Sequence, residues 1–335
     1  MRIQVFILLC SIFLCAHTSI APFKRIVITG FAQGTSYHIT YYAADSSVTQ
    51  FQIDSIFNKL DSSLSIYKPY SLISRFNNAN TTTVEMDEHF SAVINKSIDT
   101  WRATSGLFDI TVQPLVQAWG FGIKKTDSLP SKKDINAIRK CVGTQFLKVE
   151  NNKLVKLKPC MTIDVNGIAQ GYSVDVMAAF LEASGINNYL VEIGGELRVK
   201  GRKQPANEKM KIGIESPGED ELTISMRQQV IETDSGAITT SGNYRKYYES
   251  NGKKITHLIN PRTGYPIQNE LISVTVFAAD AITADAFDNA LMVLGLTKAL
   301  RFTEKRKDIC AYFIYRDKKG VLKDTASTGF YRLMQ

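Results

Sequence analysis

Three oxygen-bearing side chains, Asp285, Asp288 and Asn289, stand at i, i+3 and i+4 within AITADAFDNALMVLGL, residues 281–296. On a helix that spacing puts them on one side, where they can converge on a single point. Around them Ala284, Ala286, Phe287, Ala290, Leu291, Val293 and Leu294 cover nearly the whole circumference, the pattern of a buried helix. Buried carboxylates without a counter-charge cost several kcal/mol each or take up protons. Hard oxygen donors suit Mg²⁺ or Ca²⁺ rather than zinc or copper. A helix cap or a solvent-facing polar stripe is the alternative reading of the same residues.

Three other stretches could carry chemistry. TIDVNGIAQGYSVD (162–175) reads as a strand from Met161 to Val165, a glycine turn, and a helix beginning near Gly171. Gly167 and Gly171 then lie where a ligand can approach the backbone and helix-terminal N–H groups can meet a phosphate, unless the glycines only make a turn. In GLFDITVQPLVQAWGFG (106–122), Asp109 sits between Phe108 and Ile110, either accepting hydrogen bonds from a backbone turn or touching a ligand. TTSGNYRKYYESNGKKITHLINPRTGYP (239–266) gathers hydroxyls and holds His257 just before a rigid Pro-Arg-Thr-Gly turn.

The elements that must position these groups follow from periodicity. Residues 26–42 alternate β-formers around a central glycine and read as a hairpin. Two amphipathic helices follow, one N-capped by Ser47 and one running from Glu88 and stopped by Gly106. After the helix Gly171–Ala183 comes a strand, Tyr189–Val199, then strands in QQVIETDSGAITTSG and LISVTVFAAD; residues 201–224 read as a long surface loop. No repeat and no Pro/Gly/Ser-rich linker interrupts the chain, so the expectation is one compact α+β domain over 22–335.

The 335 residues, 44% hydrophobic, suffice for a packed core, and the net charge of +8 is scattered in pairs and triplets. Attraction to anionic ligands such as phosphates fits this charge, whereas no arginine-rich tract or zinc-finger spacing points to nucleic acid. Residues 1–21 have the layout of an export leader: Arg2, an apolar run from Ile3 to Ala16, then small residues. An uncleaved anchor, or lipidation at Cys15 despite the poor lipobox IFLC, is the alternative. Outside that segment Cys141, Cys160 and Cys310 allow at most one disulfide, Cys141–Cys160, or three buried thiols.

In order along the chain, GTSYHI, LSIYKPYSLISRFN, GLFDITVQPLVQAWGFG, IDVNGIAQGYSVD, NYLVEIGGELRVKG, TSGNYRKY, HLINPRTGYP and SVTVFAADAITADAFDNALMVLG resemble the FAD:protein FMN transferase family, also called the ApbE thiamine-biosynthesis lipoprotein family. The resemblance implies an ApbE-like, T-fold-related domain in an exported, Mg²⁺-dependent enzyme on the periplasmic side of the inner membrane. Such an enzyme cleaves FAD, transfers FMN to a threonine or serine hydroxyl of an acceptor protein and releases AMP. Family acceptors include subunits of sodium-pumping NADH:quinone oxidoreductase and related electron-transport complexes. Carried over by position, Tyr67, Leu107, Phe108, Asp109, Asp164, Gln170 and the Ile259 backbone would contact FAD. The Gly167 carbonyl with Asp285, Asp288 and Asn289 would hold the metal, and His257 would be the base. The chain departs from the family pattern at Gln33, Gln170, Asn260 and Asn289, which stand where methionine, lysine or glutamate, aspartate and threonine are usual. An FAD pyrophosphatase or a non-catalytic periplasmic flavin-binding protein are the competing functions.

Overall fold

The computed structural model describes residues 23–124, 126, 128–217, 224–244, 246–250 and 252–334, with the side chains of 216–217, 224–228 and 253 left aside. The expected leader, 1–21, lies outside them. Among the described residues eight strands form one antiparallel sheet whose spatial order is their chain order. They are β1 Lys24–Ala32, β2 Thr35–Ala43, β3 Tyr189–Ile193, β4 Glu196–Lys200, β5 Ser235–Gly242, β6 Leu271–Ala278, β7 Ile309–Arg316 and β8 Leu322–Ala326. Each connection between neighbours is either a tight turn or a long excursion that packs on a face of the sheet. The excursions carry the chemistry.

Between β2 and β3 run helices α1 (Gln50–Leu64), α2 (Glu88–Ala103) and α3 (Asn166–Ala183), and between β6 and β7 runs α4 (Ala281–Leu294). Helices α3 and α4 lie against each other, and α4 also packs on β5 and β6. Period-2 alternation sends Val274, Val276 and Ala278 of β6 toward this helical layer, where they join Ala284, Phe287 and Leu291 of α4 in one buried cluster. The opposite face is covered too. Ile212, Ile214 and Ile231 from the hairpin Met210–Pro217/Ile224–Thr233 pack there with Ile238, Tyr312 and the C-terminal Phe330. A sheet buried on both faces explains why β6, LISVTVFA, reads as a continuous apolar run.

Several expectations need correction. The helix expected from Ser47 begins at Gln50, capped by Thr49 with a reciprocal Gln52 bond. Residues 161–165 form no strand. Their backbone groups are met by single partners: Asn77 Nδ2 donates to the Ile163 carbonyl and its Oδ1 accepts from the Ile163 N–H, both at 2.8 Å, and the Asp164 N–H donates to the Ile110 carbonyl at 2.7 Å. The following helix starts at Asn166 rather than near Gly171. The strand expected over 189–199 is two, β3 and β4, reversed at Gly194-Gly195, where φ is 61° and 106°. The presumed surface loop 201–224 contains the strand Met210–Pro217. Of the two cysteine readings the disulfide Cys141–Cys160 is present, and Cys310 is free with its thiol pushed up to about 12 by burial.

Gly171 sets how closely α3 and α4 approach. A Cβ there would stand 2.4 Å from the Ala281 carbonyl oxygen and 2.7 Å from Asp285 Cβ. Glycine in a helix interior costs about 1 kcal/mol relative to alanine, so only the close contact recommends it here. Gly171→Ala is therefore expected to destabilise the protein by about 1–3 kcal/mol despite the better helix propensity, read as a lower urea midpoint. An unchanged or higher midpoint would mean that the two helices are not this close.

Candidate flavin-nucleotide and metal site

The site is built where the N-terminal turns of α3 and the first two turns of α4 meet β5. In α3, Gly167 has non-helical angles (φ −86°, ψ 20°), and the Gly171 N–H, one helical turn further on, donates to Asp285 Oδ2 at 2.8 Å. The Gly167 carbonyl accepts from Asn289 Nδ2 at 3.3 Å. The same Nδ2 donates to Asp288 Oδ1 at 2.9 Å and lies 3.5 Å from Asp285 Oδ1. With the Asp285 carbonyl at 2.9 Å, four oxygens from two helices thus surround one polar hydrogen donor. The second oxygen of Asp288 accepts from Thr239 Oγ1 of β5 at 2.7 Å.

Electrostatically the pair is under load. Asp285 and Asp288 are 4% and 1% exposed, and among the described residues the charged groups that act on them are acidic, Asp175 on Asp285 and Asp285 with Glu196 on Asp288. Burial pushes Asp285 up to about 7, and burial with the neighbouring Asp285 charge raises Asp288 well above the usual carboxylate range. Among the described residues no three His, Cys, Asp or Glu side chains gather as a metal site. The donor set is instead two carboxylates, a backbone carbonyl and an amide. Such oxygen donors fit a hard divalent cation, which would supply positive charge at this acidic point. Asn289 differs from expectation in one respect: its nitrogen, not its oxygen, faces the carboxylates, while Oδ1 accepts from Ser241 Oγ at 3.3 Å. A half-turn of the amide exchanges the two, and a hydroxyl can serve either as donor or acceptor.

Every residue expected at the site lines one cleft: Tyr67, Leu107, Phe108, Asp109, Asp164, Gly167, Gln170, His257, Ile259, Asp285, Asp288 and Asn289. Their exposures differ. Tyr67 is 66% exposed at the rim, whereas Phe108 and Ile259 are 6% exposed. The Asp109 carboxylate is turned into its own wall, accepting from the Thr111 N–H at 2.9 Å and from Thr111 Oγ1, Thr144 Oγ1 and the Thr144 N–H. Asp164 Oδ1 accepts from the Asn166 N–H at 2.8 Å, and burial raises its carboxyl. Gln170 Nε2 donates to the Ile193 carbonyl at 2.9 Å, tying α3 to the β3–β4 turn.

His257 Nδ1 lies 3.0 Å from the Lys246 carbonyl, which can only accept, so Nδ1 carries the proton and Nε2 keeps its lone pair. Burial lowers its pKa and favours the neutral ring. Glu196, Ser241 and Lys246 also line the cleft, and Thr239 supports it from behind. None was singled out from sequence. Thr239 and Ser241 alternate along β5, so the period-2 rule applied to TTSG would have placed both on the face toward α4.

Comparison with known proteins bears on the whole chain. Residues 33–313 match the ApbE family. The FAD:protein FMN transferase of Vibrio cholerae is 36% identical over 315 residues, 92% of each chain, and that of Haemophilus influenzae 37% identical over 319 residues, 91% of this chain and 90% of that one. Among solved structures, flavin transferase ApbE from Vibrio cholerae superposes with a TM-score of 0.83 at 34% identity, covering 93% of this chain and all 100% of its own. The apo Pseudomonas stutzeri flavinyl transferase ApbE gives 0.84 at 33% identity, covering 93% of this chain and 98% of its own. With its sheet, its helical layer and nearly its full length matched in this way, the chain belongs to the ApbE family.

Proposed function

We propose that this protein transfers FMN from FAD to a threonine or serine hydroxyl of an acceptor protein, releasing AMP, with Mg²⁺ held by the Gly167 carbonyl, Asp285, Asp288 and Asn289. The observation that carries the metal assignment is the convergence of buried oxygens from α3 and α4, two of them from carboxylates beside further acidic groups, in the cleft that also holds the expected nucleotide contacts. When bound, the cation would neutralise pyrophosphate charge.

The chain's own groups then divide the remaining work. Tyr67 offers an exposed aromatic face at the rim, and Leu107, Phe108 and Ile259 form an apolar wall for a ring system. Asp109 holds that wall in shape through Thr111 and Thr144 rather than by touching substrate. An acceptor hydroxyl is a weak nucleophile near neutral pH and needs a base. His257 Nε2 takes its proton as the oxygen attacks the FMN phosphorus; the bond to the AMP phosphate oxygen breaks, and AMP carries away that electron pair. The exported, periplasmic setting and association with acceptors of membrane electron-transport complexes belong to the same proposal. The Cys141–Cys160 disulfide supports an oxidising compartment.

The direct test is incubation with FAD, Mg²⁺ and an acceptor domain followed by mass spectrometry. The expected result is a mass gain of one FMN on the acceptor; AMP and FMN without labelling would instead mean hydrolysis. Asp285→Ala should lower turnover at least about a hundredfold, the scale for losing electrostatic stabilisation of developing charge, while leaving the fold cooperative.

A second prediction concerns pH. Because the native pKa of Asp285 lies above its ordinary 3.8, the folded state binds the proton more tightly than the unfolded one. Stability is therefore highest at low pH with respect to this group and falls as pH rises toward and through about 7. In EDTA the melting temperature should drop between about pH 5 and about pH 8, less so in Asp285→Asn, and Mg²⁺ should flatten the drop. A wild-type profile identical to that of Asp285→Asn would refute the assigned burial penalty.

A further inference from the structure

The Asn289 amide occupies the point on which the oxygens of α3 and α4 converge. Its Nδ2 lies 2.9 Å from Asp288 Oδ1, 2.9 Å from the Asp285 carbonyl, 3.3 Å from the Gly167 carbonyl and 3.5 Å from Asp285 Oδ1. The two carbonyls can only accept, so a nitrogen and not an oxygen belongs on this side of the amide. The outer carboxylate oxygens have donors of their own, the Gly171 N–H for Asp285 Oδ2 and the Thr239 hydroxyl for Asp288 Oδ2. The inner oxygens, Oδ1 of each, face the amide. Its two hydrogens bring partial positive charge to a place where two buried carboxylates would otherwise confront each other and two carbonyls.

A cation bound by these oxygens cannot share the point with Nδ2, so the amide must give way. The side chain is placed to do so. On its far side Oδ1 accepts from Ser241 Oγ at 3.3 Å, a long bond, and the residue is half-buried and lines the cleft, which gives it space to turn into. Ser241 can exchange its role when the amide turns, because a hydroxyl accepts from Nδ2 as readily as it donates to Oδ1. Gly167 keeps the α3 side clear: a Cβ there would stand 3.2 Å from Nδ2.

We propose that Asn289 is the site's own stand-in for the cation and thereby sets the affinity of the site. The amide nitrogen steadies the inner carboxylate oxygens, and a divalent cation binds by exchange, turning the nitrogen out and leaving Oδ1 free to ligate. Affinity is lowered by the hydrogen bonds that the exchange breaks, and in return the carboxylates keep a partner whenever the cation leaves. The stand-in rests on the cation site proposed above.

The test compares the full wild-type chain with Asn289→Ser, both stripped with EDTA and dialysed, by calorimetric titration with Mg²⁺ alone and by melting in EDTA. Serine and asparagine have similar helix propensities, so backbone preference does not separate the two proteins. The shorter hydroxyl leaves the point open, offers a lone pair to a cation and brings one hydrogen rather than two. The stand-in predicts effects of opposite sign. The Mg²⁺ Kd should fall roughly tenfold in the variant, the scale of one hydrogen bond to a charged group, while the melting temperature in EDTA drops by about 2 °C. Asn289→Thr, with the same hydroxyl on a stiffer side chain, should repeat both effects. Were Asn289 only a ligand, or were the substitution merely to loosen α4, the variants would bind Mg²⁺ as weakly as the wild type or more weakly; either result overturns the stand-in, as does an unchanged melting temperature in EDTA. Absence of Mg²⁺ binding in the wild type and both variants would overturn the cation site itself, an outcome distinct from binding with equal affinity, which overturns the stand-in alone.

Discussion

The hydrogen bond from the Gly171 N–H to Asp285 Oδ2, 2.8 Å long, ties the helical layer together, and the rest of the site depends on it. It forms because residue 171 has no side chain to keep α4 away. It draws a carboxylate into the α3–α4 contact, one turn beyond the kink at Gly167. The consequence is a carbonyl turned toward Asn289 and a carboxylate oxygen turned the same way. One backbone contact thereby places oxygens from two distant parts of the chain around one point.

That arrangement is costly without positive charge, and the surrounding structure is what makes it persist. Helix α4 is fastened at its N-terminus by Asp175 of α3, which accepts from the Ala281 and Ile282 N–H groups at 2.9 and 2.8 Å and is paired with Arg198 of β4. Its other side is buried against β5 and β6, so turning the acidic face toward water would expose Phe287 and Leu291. The apolar packing of α4 thus holds the carboxylates where solvation alone would not. Burial of this kind is how a fold stores a preference for a cation, and it fits the transferase chemistry proposed for the cleft.

Much of this was legible in the sequence, for reasons that particular residues make clear. The i, i+3, i+4 spacing of Asp285, Asp288 and Asn289 is local, and a helix turns local spacing directly into geometry. The hairpin over 26–42 was readable from alternation, and its turn falls at Gln33-Gly34, both with positive φ. What escaped depends on partners far away in sequence. Residues 161–165 have strand-like composition, but Asn77 and Ile110 satisfy their backbone, and no local rule predicts those donors and acceptors. The strand Met210–Pro217 was hidden among charged and turn-forming residues because its apolar side faces the sheet through only Met210, Ile212 and Ile214. Alternation along β5 marks the face on which Thr239 lies but not its partner Asp288, and Lys246 holds His257 through a backbone carbonyl, which no residue spacing marks.

The central claim, that α3 and α4 create a cation site for the flavin-nucleotide phosphates, is tested most directly by anomalous diffraction from crystals grown with FAD and Mn²⁺ as a Mg²⁺ substitute. The account predicts a single strong anomalous peak in the cleft within about 2.2 Å of Asp285 and of the Gly167 carbonyl oxygen, with phosphate oxygens completing the shell. FAD density in the cleft with the manganese peak elsewhere, or with no peak, would contradict it.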